Sequence, residues 1–147
     1  MSAELEMVRE FHVMTGHPVL PRPGVPPNDR VRLRAKLIME ECMETCRALL
    51  GLPKEQTNAF VRANNQAIDM ELDPKTDLVE VADGLADVIY VAYGCALEMG
   101  IPIDRVFREV HFSNMKKQSG ATREDGKITK PAGWQPPDIG SILNEYM

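Results

Sequence analysis

The chain has 147 residues, 44% of them hydrophobic and 27% charged, a composition that fits one soluble domain of 1–147 and excludes an intrinsically disordered chain. Its 22 acidic residues outnumber 17 basic ones, for a net charge of -5. This argues against a binder of duplex nucleic acid, which works by neutralising phosphates. No apolar run approaches the roughly 20 residues of a membrane span. No basic region followed by an apolar stretch opens the chain, so no signal peptide is expected, and the expected location is cytoplasmic. Three cysteines, Cys42, Cys46 and Cys95, are read as reduced thiols in a cytosolic core.

Aromatic residues are scarce at 5%, and apolar residues recur at spacings of three and four, the signature of helices. The first predicted helix runs from about Ala3 to Thr15 and stops at Gly16. A proline-rich connection follows at 17–28, with five of the eleven prolines, which cannot be a helix interior. Asn28 or Asp29 is the expected cap of the second helix, which runs to about Leu50 before Gly51 and Pro53. A third helix is expected over Lys54 to Met70, burying Phe60, Val61, Ala67 and Ile68. Asp73-Pro74 reads as a cap and first helical residue of a fourth helix ending near Met99 and Gly100. Asp104 is the expected start of a fifth helix, carrying Val106, Phe107, Val110 and Met115. The C-terminal tail at 118–147 breaks the pattern: Glu124-Asp125-Gly126-Lys127 reads as a tight turn, and Trp134, Ile139 and Ile142 as residues that dock the tail. The predicted fold is all-α, a bundle of about five helices.

Two helices carry acids at informative positions. In Leu37-Ile38-Met39-Glu40-Glu41-Cys42-Met43-Glu44, Glu41 and Glu44 are three apart and share a face, with Glu40 about 100° round the helix. In the fourth helix Glu80, Asp83 and Asp87 stand at i, i+3 and i+7, and nearly everything around them is apolar. A helix apolar round most of its circumference belongs inside a bundle, so its acids are expected to point inward. Buried carboxylates are costly without compensation, and few basic residues lie in these runs. A hard divalent cation such as Mg²⁺ or Mn²⁺ would supply that compensation. The competing structural readings are acids that simply face solvent and a di-iron bundle. The latter needs Glu-x-x-His, and Arg47 and Ala86 stand where the histidines would be.

Glu40-Glu41-x-x-Glu44 followed by Glu80-x-x-Asp83 resembles the paired EExxE and ExxD motifs of the MazG-like, all-α nucleoside triphosphate pyrophosphohydrolases. The resemblance extends over most of the chain, through Phe11-His12, Ala82-Asp83-Gly84-Leu85-Ala86-Asp87-Val88-Ile89-Tyr90-Val91, His111-Phe112-Ser113-Asn114-Met115-Lys116-Lys117 and Trp134-Gln135-Pro136-Pro137-Asp138. These segments look like a bacterial and phage branch with dUTP-preferring members. An alternative register aligns Asp87 with the second-motif Asp but puts Gly84 at its Glu, so Glu80 and Asp83 keep the complete motif. The resemblance implies cleavage between the α- and β-phosphates, metal ligation by Glu41, Glu44, Glu80 and Asp83, and dimers or larger assemblies. Glu40 is then a candidate base, a further ligand or an exposed acid, and Asp87 a ligand, a group that supports the ligands, or a substrate-binding residue. Asn114 and Lys117, one turn apart, are candidates for a phosphate or sugar. Trp134 is either a base-stacking residue or an anchor for the tail, with the anchor favoured. The reading from another class is a catalytically silent metal-binding or scaffold bundle. No GxxxxGK[ST] phosphate loop is present.

Overall fold

The computed structural model describes residues 1–118, 120–123 and 127–147. Among them the chain is all-α, with six helices and no strand. The helices are α1 (Ala3–Thr15), α2 (Asn28–Leu50), α3 (Lys54–Met70), α4 (Leu78–Glu98), α5 (Ile103–Met115) and α6 (Ile139–Asn144). By their contacts the residues fall into two compact units, Gly24–Asp77 and Met1–Pro23 with Leu78–Met147.

The first unit is an α2–α3 hairpin. Gly51 ends α2 at a φ of 64°, a left-handed conformation that glycine adopts without a Cβ clash. The predicted cap of α2 is corrected: Pro27 takes that position and no side chain caps the helix. Asn28 instead donates its Nδ2 to the Leu72 carbonyl at 3.3 Å. Leu33 and Thr57 are buried, and Val61 and Ile68 half-buried. Phe60 and Ala67 are exposed, against expectation. Lys36 on α2 pairs with Asp69 on α3 at 2.5 Å, and Arg32 donates to the Glu71 carbonyl at 3.2 Å. The fourth helix does not start at Pro74. The Asp73 N–H donates to the Glu71 carboxylate at 3.2 Å and its own carboxylate pairs with Lys75, so this stretch is a turn and α4 begins at Leu78.

In the second unit α1 packs on α5, and α5 on α6. Ser2 caps α1 by accepting from the Leu5 N–H at 3.3 Å. His111, buried on α5, sets its Nε2 3.4 Å from the Glu10 carboxylate of α1. The sixth helix was absent from the predicted elements. Asp138 caps it, accepting from the Ser141 N–H and hydroxyl at 3.1 and 2.7 Å, which holds that carboxyl below its usual pKa. Its C-terminal end is tied to α5 by Arg105, which donates to Glu145 at 2.6 Å and to the Tyr146 hydroxyl at 3.3 Å.

The expectation that α4 is an interior helix is not met within the single chain. Every residue from Leu78 to Tyr93 is exposed, with Val79, Tyr90 and Leu97 at 77%, 80% and 83%. The helix is apolar as read, but the chain does not cover it. No single helix among the described residues is long and apolar enough to cross a membrane.

Candidate active site

Glu41 and Glu44 lie on one face of α2, both exposed, and Glu40 is half-buried at the edge of that face. Thr45 donates its hydroxyl to the Glu41 backbone carbonyl at 2.8 Å. On α4, Glu80, Asp83 and Asp87 are exposed along one stripe rather than drawn inward. Each helix therefore presents a carboxylate pair three residues apart. Among the described residues no group of three or more His, Cys, Asp or Glu side chains is gathered where one ion would be held. Carboxylate oxygens are the donors that Mg²⁺ and Mn²⁺ take, and such ions keep waters and phosphate oxygens in the rest of their shell. The chemistry of each pair fits a partial ligand set for an ion of that class.

Asn114 and Lys117 are brought together as the spacing predicted, with Lys117 Nζ donating to Asn114 Oδ1 at 2.7 Å. Beside them lies a feature that spacing alone did not reveal. The Trp134 indole N–H donates to the Ser113 carbonyl at 2.9 Å, and the buried Ser113 hydroxyl donates to the Gln135 carbonyl at 3.2 Å. Lys117 and Lys130 set their ammonium groups 5.2 and 4.5 Å from the centre of the indole, close enough for cation–π attraction. Trp134 is thus the anchor that docks the tail on α5, and it fixes the surroundings of Lys117. Upstream, the tail closes on itself through an isolated bridge between Thr122 and Ile128. There the Thr129 N–H and hydroxyl both donate to the Ala121 carbonyl, at 2.8 and 2.7 Å. Gly120 is required for this: a Cβ there would stand 1.9 Å from the Thr129 carbonyl oxygen. Of the turn predicted over 124–127, residues 124–126 lie outside the described residues.

Trp134→Phe keeps an aromatic face for the lysines and removes the N–H. It is expected to weaken tail docking by about 1–2 kcal/mol, the cost of a lost bond to a part-buried carbonyl. Limited proteolysis should then cut the segment 127–137 about tenfold faster, with α1 and α5 protected as before. An unchanged cleavage rate would show that the tail is held by something other than the indole.

The model of the phosphoribosyl-ATP pyrophosphohydrolase family matches residues 8–114, which include both acidic runs. The chain belongs to this family. A search among curated proteins returns no significant match. Among solved structures the chain is similar to a candidate NTP pyrophosphohydrolase from Exiguobacterium sp. 255-15. The two are 28% identical with a TM-score of 0.70, over 99% of this chain and 96% of that one. For a phosphoribosyl-ATP pyrophosphohydrolase family member, acids at Glu40–Glu44 and Glu80–Asp87 are positioned within the matched segment, whereas Trp134 and Lys130 lie beyond it.

Proposed function

We propose that this protein is a metal-dependent nucleoside triphosphate pyrophosphohydrolase that cleaves between the α- and β-phosphates. Its preferred substrate is dUTP, which it converts to dUMP and pyrophosphate in cytoplasmic nucleotide-pool housekeeping. The observation that supports the coarse activity most is the family match across both acidic helices. The full-length likeness to a candidate NTP pyrophosphohydrolase supports it further. The dUTP preference rests on the resemblance of the His111–Lys117 and Trp134–Asp138 segments to the dUTP-preferring branch.

In this reading Glu41, Glu44, Glu80 and Asp83 hold Mg²⁺ or Mn²⁺, which when bound neutralises the triphosphate and makes water a better nucleophile. Glu40 takes the proton from the attacking water as its oxygen bonds to the α-phosphorus. The bond from the α-phosphorus to the bridging oxygen breaks in line, and pyrophosphate leaves. Asn114 and Lys117 hold a phosphate or sugar, and Asp87 supports the substrate side of α4. The working assembly is a homodimer or larger.

A product assay on a panel of nucleoside triphosphates tests the reading. With Mg²⁺ or Mn²⁺, dUTP should give dUMP and pyrophosphate; orthophosphate with dUDP would place the cleavage elsewhere. Phosphoribosyl-ATP belongs in the panel because the family carries its name, and a preference for it would displace dUTP. Turnover of no nucleotide would favour a silent metal-binding scaffold.

A further inference from the structure

The fifteen residues from Lys116 to Lys130 carry five cations and two acids, in a chain whose net charge is -5. A polyanion attracted to this chain is therefore attracted here first. The fold brings two of these cations to one place. Lys117 follows the end of α5. Lys130 arrives through the tail, directly after the Thr129 contacts that close the chain on Ala121. The Trp134 backbone N–H then donates to the Pro131 carbonyl at 3.2 Å, a turn that brings the indole back beside both lysines. Their ammonium groups lie 5.2 and 4.5 Å from the centre of that one ring. All of these residues belong to one compact unit.

The indole attracts each ammonium but carries no net charge. The Asn114 amide that accepts from Lys117 at 2.7 Å is neutral as well. Neither partner cancels a charge, so two like charges converge on neutral supports. The C-terminal end of α5 contributes about half a negative charge, less than the two ammonium charges beside it. Each ammonium has three donors, and Lys130 is exposed, so its donors are within reach of a ligand. Half-buried Lys117 is held in place by Asn114. Two point charges brought together at one ring suit an anion whose charge is spread over successive phosphates. A single carboxylate cannot meet both lysines as well.

We propose that Lys130 is a substrate-binding residue: the tail carries it to the Trp134 ring, where it joins Lys117 in a clamp on the substrate's polyphosphate. Trp134 acts through the two lysines and is a positioning residue. The docked tail is thereby part of the binding site rather than a trailing end. The identity of the ligand as a nucleotide rests on the proposed pyrophosphohydrolase activity; the capacity of the clamp for a polyphosphate anion does not. Lys117, Lys130 and Trp134 all lie beyond the segment 8–114 that the family model matches.

Trp134 is the single tryptophan of the chain, so its emission reports from inside the clamp. The test titrates the full chain with inorganic tripolyphosphate in chelator, followed by that emission and by calorimetry. Wild type should bind with a saturable change in emission, and Lys130→Gln should bind about tenfold more weakly or worse, the loss of a charged hydrogen bond. Lys130→Arg keeps the charge and should restore most of the affinity. Lys116→Gln removes the same charge from an exposed neighbour and should change affinity less than about twofold, the scale of an exposed charge. Bound tripolyphosphate should also protect the segment 127–137 from protease in wild type and not in Lys130→Gln. If Lys130→Gln is cut faster there without ligand, Lys117→Gln decides by the same loss of affinity. Absence of tripolyphosphate binding by wild type, wild-type affinity in Lys130→Gln, or an equal loss in Lys116→Gln overturns the clamp. Steady-state kinetics with metal separates it from the activity: KM and the pyrophosphate inhibition constant should rise together in Lys130→Gln, with kcat nearly unchanged. Lysine-dependent binding without hydrolysis of any nucleotide upholds the clamp and removes the proposed activity. Hydrolysis with unchanged KM and unchanged pyrophosphate inhibition in Lys130→Gln does the reverse.

Discussion

Glu44→Ala or Asp83→Ala is expected to bring pyrophosphate release down to background, a loss of about a thousandfold or more. Each proposed ligand helps to hold charge against a triphosphate, and several kcal/mol of such stabilisation corresponds to three or more factors of ten in rate. Both side chains are exposed, so truncation opens no cavity and the helical signal should be unchanged. Mn²⁺ affinity, measured by calorimetry, should fall with activity in both variants. Glu40→Gln separates a proton acceptor from a ligand: a base loses about 10²–10⁴ in kcat while Mn²⁺ affinity stays. Full activity in Glu44→Ala and Asp83→Ala would remove the metal reading altogether.

Helix ends with their own chemistry were legible in the chain. Gly16 and Gly51 stop α1 and α2 at positive φ, as their positions after apolar-periodic runs foretold. The start of α4 was misread because Asp73-Pro74 has the form of a cap, while the Asp73 groups are bound by Glu71 and Lys75, side chains whose preference no local motif states. The sixth helix has six residues, too few for periodicity to show. Its signal was local: Asp138 with Ser141 three residues on is a capping pattern. In the candidate site, acid spacing along each helix was readable, and so was the Asn114–Lys117 turn. The seat of Trp134 on the Ser113 carbonyl was not, because backbone carbonyls leave no mark in a sequence.

Tyr90→Arg is expected to convert the proposed homodimer or larger assembly to monomers. Val79, Ala86, Tyr90, Tyr93 and Leu97 follow one another at spacings of seven, four, three and four, a single stripe along α4. Val79, Tyr90 and Leu97 are at least three-quarters exposed. Burial of a Val or Leu side chain is worth about 1.5–3 kcal/mol, so a stripe of this length against its copy is a substantial driving force. An arginine in its middle, repeated across a two-fold axis, sets like charges against each other in a desolvated contact. Tyr90 is 80% exposed in the single chain, so the substitution should not disturb the chain's own packing. Sedimentation equilibrium at micromolar concentration reads the outcome: wild type at twice the chain mass or more, and the variant at the chain mass with an unchanged helical signal. The acid stripe of Glu80, Asp83 and Asp87 lies beside this apolar one. If assembly orients α4, the variant should also lose nucleotide turnover while Glu44→Ala, inactive for a different reason, remains assembled. A wild type that sediments as a monomer would leave α4 without the proposed partner and separate the exposed stripe from the catalytic reading.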